Sequence, residues 1–183
     1  KNLHMKSRPG KLIFFIFLII FTGSGICAAE DGGKEAQVSS NMDLFEGFVY
    51  YADKKKTVLK SVKKQIAANL DSHNLGLEIL ATLFKGPQLA HLEATWPKET
   101  IIDSFFITDE GEAYIDLTPE PSMMENMDTQ DELLAIYSIV NSLTLNIPKI
   151  KRVKILIQGK DAFTLAGHID LEYFYKTNML MVK

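Results

Sequence analysis

Cysteine is nearly missing: Cys27 is the only one in 183 residues. A disulfide framework within the chain is thereby excluded, and so is a four-cysteine metal site. With 6 prolines and 11 glycines, the chain has too few of either for a collagen-like or low-complexity class. Lysine and arginine are absent from the whole stretch between Lys98 and Lys149. No phosphate loop, dinucleotide fingerprint or zinc-helix motif occurs. The one long apolar run stops at ten residues, where a membrane-spanning helix needs ~20. What is present is a globular composition, 46% apolar and 23% charged, in a length that suits one domain.

Residues 1–29 differ from the rest. Lys1, Lys6, Arg8 and Lys11 give a basic start without an acid, and LIFFIFLIIF follows from Leu12 to Phe21. The small, weakly polar residues 22–29 come next. This order matches a secretory signal peptide, whose apolar core spans ~7–15 residues before a small-residue cleavage site. Cys27 and Ala29 stand three and one before a cut between Ala29 and Glu30. Gly23 and Gly25 disfavour an uncleaved anchor, because they interrupt the helix where an anchor needs length. Cys27 offers a second reading, as the lipid-acceptor cysteine of a bacterial lipoprotein, although Ile26 stands where such sites carry a small residue. A cut after Ala29 leaves a chain with no cysteine, which suits an oxidising compartment. It also removes four bases and no acid, so the net charge moves from −3 to −7. Such an acidic product disfavours nucleic acid as a partner, since that affinity is largely phosphate neutralisation.

Residues 30–43 read as a polar linker without apolar periodicity. Residues 45–64 read as a β-hairpin: Phe48-Val49-Tyr50-Tyr51 suits a half-buried pleat, and Ala52-Asp53-Lys54-Lys55 turns the chain. Lys56, Lys60, Lys63 and Lys64 on the return strand read as a solvated edge that blunts aggregation. A helix is expected from about Ser72, with Leu75, Ile79, Leu80, Leu83 and Phe84 facing the core and Gly86-Pro87 stopping it. A second hairpin follows over 101–117, turning at Asp109-Glu110-Gly111-Glu112. Trp96-Pro97 ahead of it reads as a packing anchor. Thr129-Gln130-Asp131-Glu132 spells a capping box for a helix over 130–145, in which Glu132 reaches back to the Thr129 amide. Residues 152–157 (RVKILI) read as the last strand.

Candidate chemistry is sparse. Ser61-Val62-Lys63-Lys64 matches S-x-x-K, and Lys176-Thr177-Asn178 resembles half of K-T-G, but Ser61 falls on a strand, no S-D-N lies between, and chance is the better account. His168 and Asp170, two apart on an expected strand, would point the same way, yet no nucleophile is identified beside them. The recurrence of Tyr114-Ile115-Asp116-Leu117 as His168-Ile169-Asp170-Leu171 reads more simply as two matched strand ends. His73 has no second ligand spaced to join it. No catalytic, cofactor-binding or metal residue is therefore assigned, no cofactor is expected, and the chain is not read as an enzyme.

Five segments in order carry a family resemblance: Leu83-Phe84-Lys85-Gly86-Pro87, Ala113-Tyr114-Ile115-Asp116-Leu117, residues 136–144 (IYSIVNSLT), residues 153–159 (VKILIQG), and Gly167-His168-Ile169-Asp170-Leu171. Together they resemble the GerMN domain, the sporulation and spore germination family. The resemblance implies an exported or membrane-tethered bacterial module that is not an enzyme. It also implies a fold similar to the ring-building motifs of secretion-system rings. In spore formers a relative with two such domains supports the channel complex between mother cell and forespore; this chain has one copy.

The expected fold is α+β, a small mixed sheet with two helices packed on one face, in the order ββαββαβ, ring-building-motif-like. The expected domains are a signal peptide at 1–29, a linker at 30–43, a GerMN-like domain at 44–175 and a tail at 176–183. The expected role is an exported, non-enzymatic interaction or assembly module of the bacterial envelope, periplasmic or on the outer face of the cytoplasmic membrane. Its expected partners are envelope proteins or further copies of itself, with no nucleic acid, no small-molecule substrate, and membrane contact only through the leader. The alternative is a protein that binds an envelope polymer such as peptidoglycan, or an accessory to its hydrolysis. Charge is unevenly spread: six bases lie in 54–64, eleven acids in 99–132 and five bases in 149–160, which reads first as a solvated surface whose sign varies by chance. Opposite blocks of this kind can steer head-to-tail contacts.

Overall fold

The computed structural model describes residues 43–183. Cys27, Ala29 and Glu30 of the expected leader, and the linker up to Met42, lie outside the described residues.

The first hairpin forms where aromatic and β-branched residues predict it. Strand β1 (Leu44–Asp53) pairs antiparallel with β2 (Leu59–Ala67), from Leu44↔Ala67 to Ala52↔Leu59. The turn is closed by the Asp53 carboxylate, which accepts the amides of Thr57 at 2.6 Å and Val58 at 3.0 Å. From Val49 to Ala52 β1 is buried on both faces, so it reads as an unbroken apolar run.

Helix α1 (Ser72–Lys85) starts at Asp71, whose side chain accepts the Asn74 amide at 2.8 Å. It stops at Gly86, which has φ 83 and bonds back to Leu83. Its buried stripe is Gly76, Ile79, Leu80, Leu83 and Phe84, while Leu75 is half-buried. The second hairpin joins β4 (Ile101–Ile107) to β5 (Glu112–Thr118), with a register shift between Ile102 and Ser104. Gly111 turns it at φ 89, and a Cβ there would lie 2.5 Å from the Lys149 carbonyl oxygen. Helix α3 (Thr129–Thr144) then carries the chain to β6 (Arg152–Ile157), which pairs parallel to β5.

The α+β class and the order of the seven main elements follow the sequence. Two short elements are added: β3 (Leu92–Glu93), which pairs with the end of β1, and α2 (Pro121–Asn126). The expected single sheet is replaced by two three-stranded sheets, β2-β1-β3 and β4-β5-β6. The reason lies in α3. Asn146, just past its end, holds the Phe48 amide at 2.8 Å and the Phe48 carbonyl at 2.6 Å, while Ser142 Oγ accepts the Tyr50 amide at 3.0 Å. Side chains thus occupy the edge of β1 that a further strand would need.

One core cluster joins both helices to the inner face of β4-β5-β6, through Ile79, Leu83, Ile115, Leu117, Ile139 and Val153 among others. A smaller cluster, Tyr50, Ala52, Leu59 and Leu134, lies on the other face of β1. Met181 and Val182 of the closing segment pack against it. No helix among the described residues is long and apolar enough to cross a membrane.

Candidate functional site

The most unusual polar group is Glu132. The capping box predicts that it folds back on the start of α3, but Asp128 caps the helix instead, accepting the Asp131 amide at 2.8 Å. Glu132 is turned inward and fully buried. Its Oε1 accepts the amides of Leu165 and Ala166, both at 2.9 Å, and its Oε2 accepts those of His168 at 2.9 Å and Ile169 at 3.1 Å. His168 Nδ1 lies 3.1 Å from the same Oε2. Five donors thus replace the water that burial removes, which is what a buried carboxylate requires.

A carboxylate on Nδ1 orients an imidazole as it would be oriented for general-base work. The remaining conditions are unmet among the described residues: no hydroxyl or thiol hydrogen-bonds to His168, and it lines neither cleft described below. Glu132 and His168 therefore fasten the segment 164–169. The expected strand carrying His168 and Asp170 is also absent. That segment is irregular, because its amides turn toward Glu132 rather than into a ladder. Asp170 accepts the Glu172 amide at 2.7 Å, and Asp116 accepts the Gly159 amide at 2.8 Å. Both acids serve turns.

The remaining sequence motifs disperse in the same way. Ser61 and Lys64 are three apart on β2 and face opposite sides of it. Thr177 and Asn178 of the K-T-N stretch fasten the closing segment to α3: Thr177 Oγ1 donates to Thr144 at 2.8 Å, and Asn178 exchanges two hydrogen bonds with Asn141 at 2.9 and 3.0 Å. His73 stacks on Phe105 with ring centres 5.6 Å apart. Among the described residues no three His, Cys, Asp or Glu side chains are grouped to hold a metal ion. Trp96 is buried as expected and donates its indole N–H to the Ala135 carbonyl at 2.8 Å.

The polar side of α3 (Ser138, Asn141, Ser142) is what residue-by-residue reading misses. These side chains are fully buried and hydrogen-bonded. Their signal in sequence is polar residues breaking an apolar stripe on a strongly periodic helix.

Two clefts open among the described residues. A cleft of about 310 Å³ is floored by Trp96, Leu134, Ala52 and Met127 and rimmed by Lys56 and Asp131, which pair at 2.9 Å. A second, beside His73, is lined by Asp71, Phe106 and Lys149. Two of the three charge blocks fall on different hairpins, while the basic block at 149–160 lies on and beside β6, where Lys149 pairs with Asp109 and Arg152 with Glu112. The β1–β2 hairpin holds Lys54, Lys55, Lys56, Lys60, Lys63 and Lys64, whereas the segment from Glu99 through β5 holds six acids and no base. Glu112 there is held below the usual carboxylate range, chiefly by its hydrogen bond from Arg152 and then by one from Tyr114.

Residues 48–163 match the family model described as Germane, sporulation and spore germination. No curated protein matches the chain. It is similar to the crystal structure of a proposed lipoprotein from Clostridium perfringens, at 25% identity and TM-score 0.51, over 74% of this chain and 89% of that one. It is also similar in fold to the tandem GerMN domains of the sporulation protein GerM from Bacillus subtilis, at 22% identity and TM-score 0.55, over 78% of this chain. The match covers 48% of that protein, so this chain spans about half of it. The first GerMN domain alone matches at 19% identity and TM-score 0.55, over 73% of this chain and 97% of that one.

Proposed function

Because the chain belongs to the Germane family of sporulation and spore germination domains, we propose that it is an exported, non-catalytic assembly module of the bacterial cell envelope. The observation that carries this reading is the use made of its reactive groups. Glu132, His168, Asp116, Asp170, Thr177 and Asn178 all hold backbone or side-chain partners within the fold. Meanwhile the β1–β2 hairpin is rich in lysine, the β4–β5 hairpin holds acids and no base, and the surface exposes Ile101, Phe106, Phe163 and Tyr173. A protein built in this way does its work by contact.

Export rests on the leader and on the similarity to a proposed lipoprotein. Cleavage between Ala29 and Glu30 is the processing proposed, and acylation at Cys27 is the alternative. Mass spectrometry of the chain recovered from its native envelope should show an N-terminus at Glu30; an acylated N-terminal Cys27 would replace that reading with a lipoprotein one. In intact cells the chain should be open to protease added on the outer side of the cytoplasmic membrane, and should crosslink to a protein there. A protected chain with no crosslink would overturn the proposal.

Among the described residues the cleft beside Trp96 is a feature that favours a polymer-binding role. Its aromatic floor is almost wholly covered, with Trp96 only 1% exposed, so no ring face is offered for a sugar to stack on. Sedimentation with purified peptidoglycan should leave the chain in the supernatant, and saturable pelleting would favour the polymer reading instead.

A further inference from the structure

Resting on that assembly reading, we infer that the acidic open edge of β4 in one copy of this chain pairs with the lysine-rich open edge of β2 in a second copy. The two sheets have four outer strands, β2, β3, β4 and β6. Strand β3 is only two residues long. Strand β6 is covered at Val153, which exchanges 2.8 Å backbone hydrogen bonds with Tyr175, and near its end by Lys160. Strands β2 and β4 are left. On β2 the Leu59 carbonyl, which points away from β1, accepts the Lys183 amide. The groups of Ser61, Lys63 and Gln65 point the same way by the two-residue repeat of an antiparallel ladder. Beyond Leu59 they have no backbone partner among the described residues, and β4 has none along its outer side.

The two edges differ in a way that suits them to each other. An open edge is ordinarily blunted by lysine or proline. Strand β2 has lysines; β4 has neither, its ladder is interrupted only at the register shift between Ile102 and Ser104, and it exposes Ile101 at 56% and Phe106 at 62%. Glu99, Asp103 and Glu110 are spread along β4 and its flanks, and none forms an ion pair among the described residues. Lys60 and Lys64 on β2 are likewise without an ion-pair partner there. Pairing a β2 edge with another β2 edge, or β4 with β4, sets like charges opposite; β2 with β4 sets opposite charges together and continues two three-stranded sheets as one. The contact uses different surfaces on the two copies. It is therefore head-to-tail and propagates into a ring or a filament.

The test uses the full chain exported by its native host. Ser61→Cys and Ser104→Cys are introduced singly and together, and intact cells are treated with a short bismaleimide. The double variant should give a ladder of dimers and higher species, and either single variant should give monomers only. Dimers from a single variant would overturn the pairing in favour of a two-fold contact. In the double-cysteine chain, Lys60→Glu with Lys64→Glu should lower the crosslinked fraction at least tenfold. Glu99→Lys with Glu110→Lys should do the same, and all four together should restore the ladder. Absence of that restoration, with circular dichroism showing every variant folded, would overturn the inference. Lys60→Gln with Lys64→Gln replaces any reversal that unfolds. If no ladder forms but the chain crosslinks to another envelope protein, the pairing falls and the assembly reading stands; if nothing crosslinks, both fall.

Discussion

At Glu132 the chain spends a charged side chain on holding a loop. Gln at this position keeps one acceptor oxygen but turns an NH2 group toward amides that are themselves donors. Glu132→Gln should therefore cost about 2–3 kcal/mol in urea unfolding, by stranding buried donors. The amides of Leu165, Ala166, His168 and Ile169 should lose hydrogen-exchange protection before the rest of the core does. His168→Ala should cost less, about 1 kcal/mol, because the imidazole is partly solvated and the four amide bonds survive. Tyr51 is a second inward-facing polar group. Its hydroxyl donates to the Thr82 carbonyl at 2.8 Å, and burial pushes its pKa up to about 12.

Between elements, the contact with the largest consequence is the one α3 makes with β1. Asn146→Ala removes the partners of both the Phe48 N–H and C=O, and should destabilise by about 2–3 kcal/mol; Ser142→Ala removes one and should cost about 1 kcal/mol. Exchange at Phe48 and Tyr50 separates the two effects. Gly76→Ala tests packing against propensity. Alanine favours a helix interior by about 1 kcal/mol, yet its Cβ would lie 2.2 Å from the buried Phe105 ring. The variant should be less stable than the parent by about 1–3 kcal/mol, as overpacked cores are. Helices α1 and α3 and both hairpins are legible in sequence because their signals are local: the apolar stripe Leu75, Ile79, Leu80, Leu83 and Phe84 with the Gly86-Pro87 stop marks α1, and Tyr114, Ile115 and Leu117 suit the strand at β5. The division into two sheets is not legible, since it depends on Ser142 and Asn146 reaching a strand more than ninety positions away. Glu132 is misread for a similar reason. A capping box and a buried anchor share one spelling, and only the later segment 164–169 decides between them.

The whole molecule has a window of pH in which these arrangements coexist. Asp53, Asp71 and Glu112 have carboxyls held below their ordinary values, the first two chiefly by backbone amides and the third by Arg152. Their stabilisation is present above the unfolded carboxylate range, ~4, and is lost as pH falls through their lowered folded values. Tyr51 and Tyr175 are both raised to about 12, mainly by burial. What they contribute is whole below the unfolded tyrosine value of ~10 and is lost as pH rises toward 12. Melting temperature should therefore be flat between roughly pH 5 and 9 and decline on both sides. A maximum at either extreme would contradict these assignments.

The lone tryptophan supplies an optical readout of the same structure. Trp96 is the only indole in the chain, sits almost wholly out of solvent, and is hydrogen-bonded to α3 at Ala135. Its emission should be blue-shifted in the native protein and move to the red when α3 leaves the loop at 94–97. A single intrinsic chromophore thus follows the undocking of that helix, with no label attached.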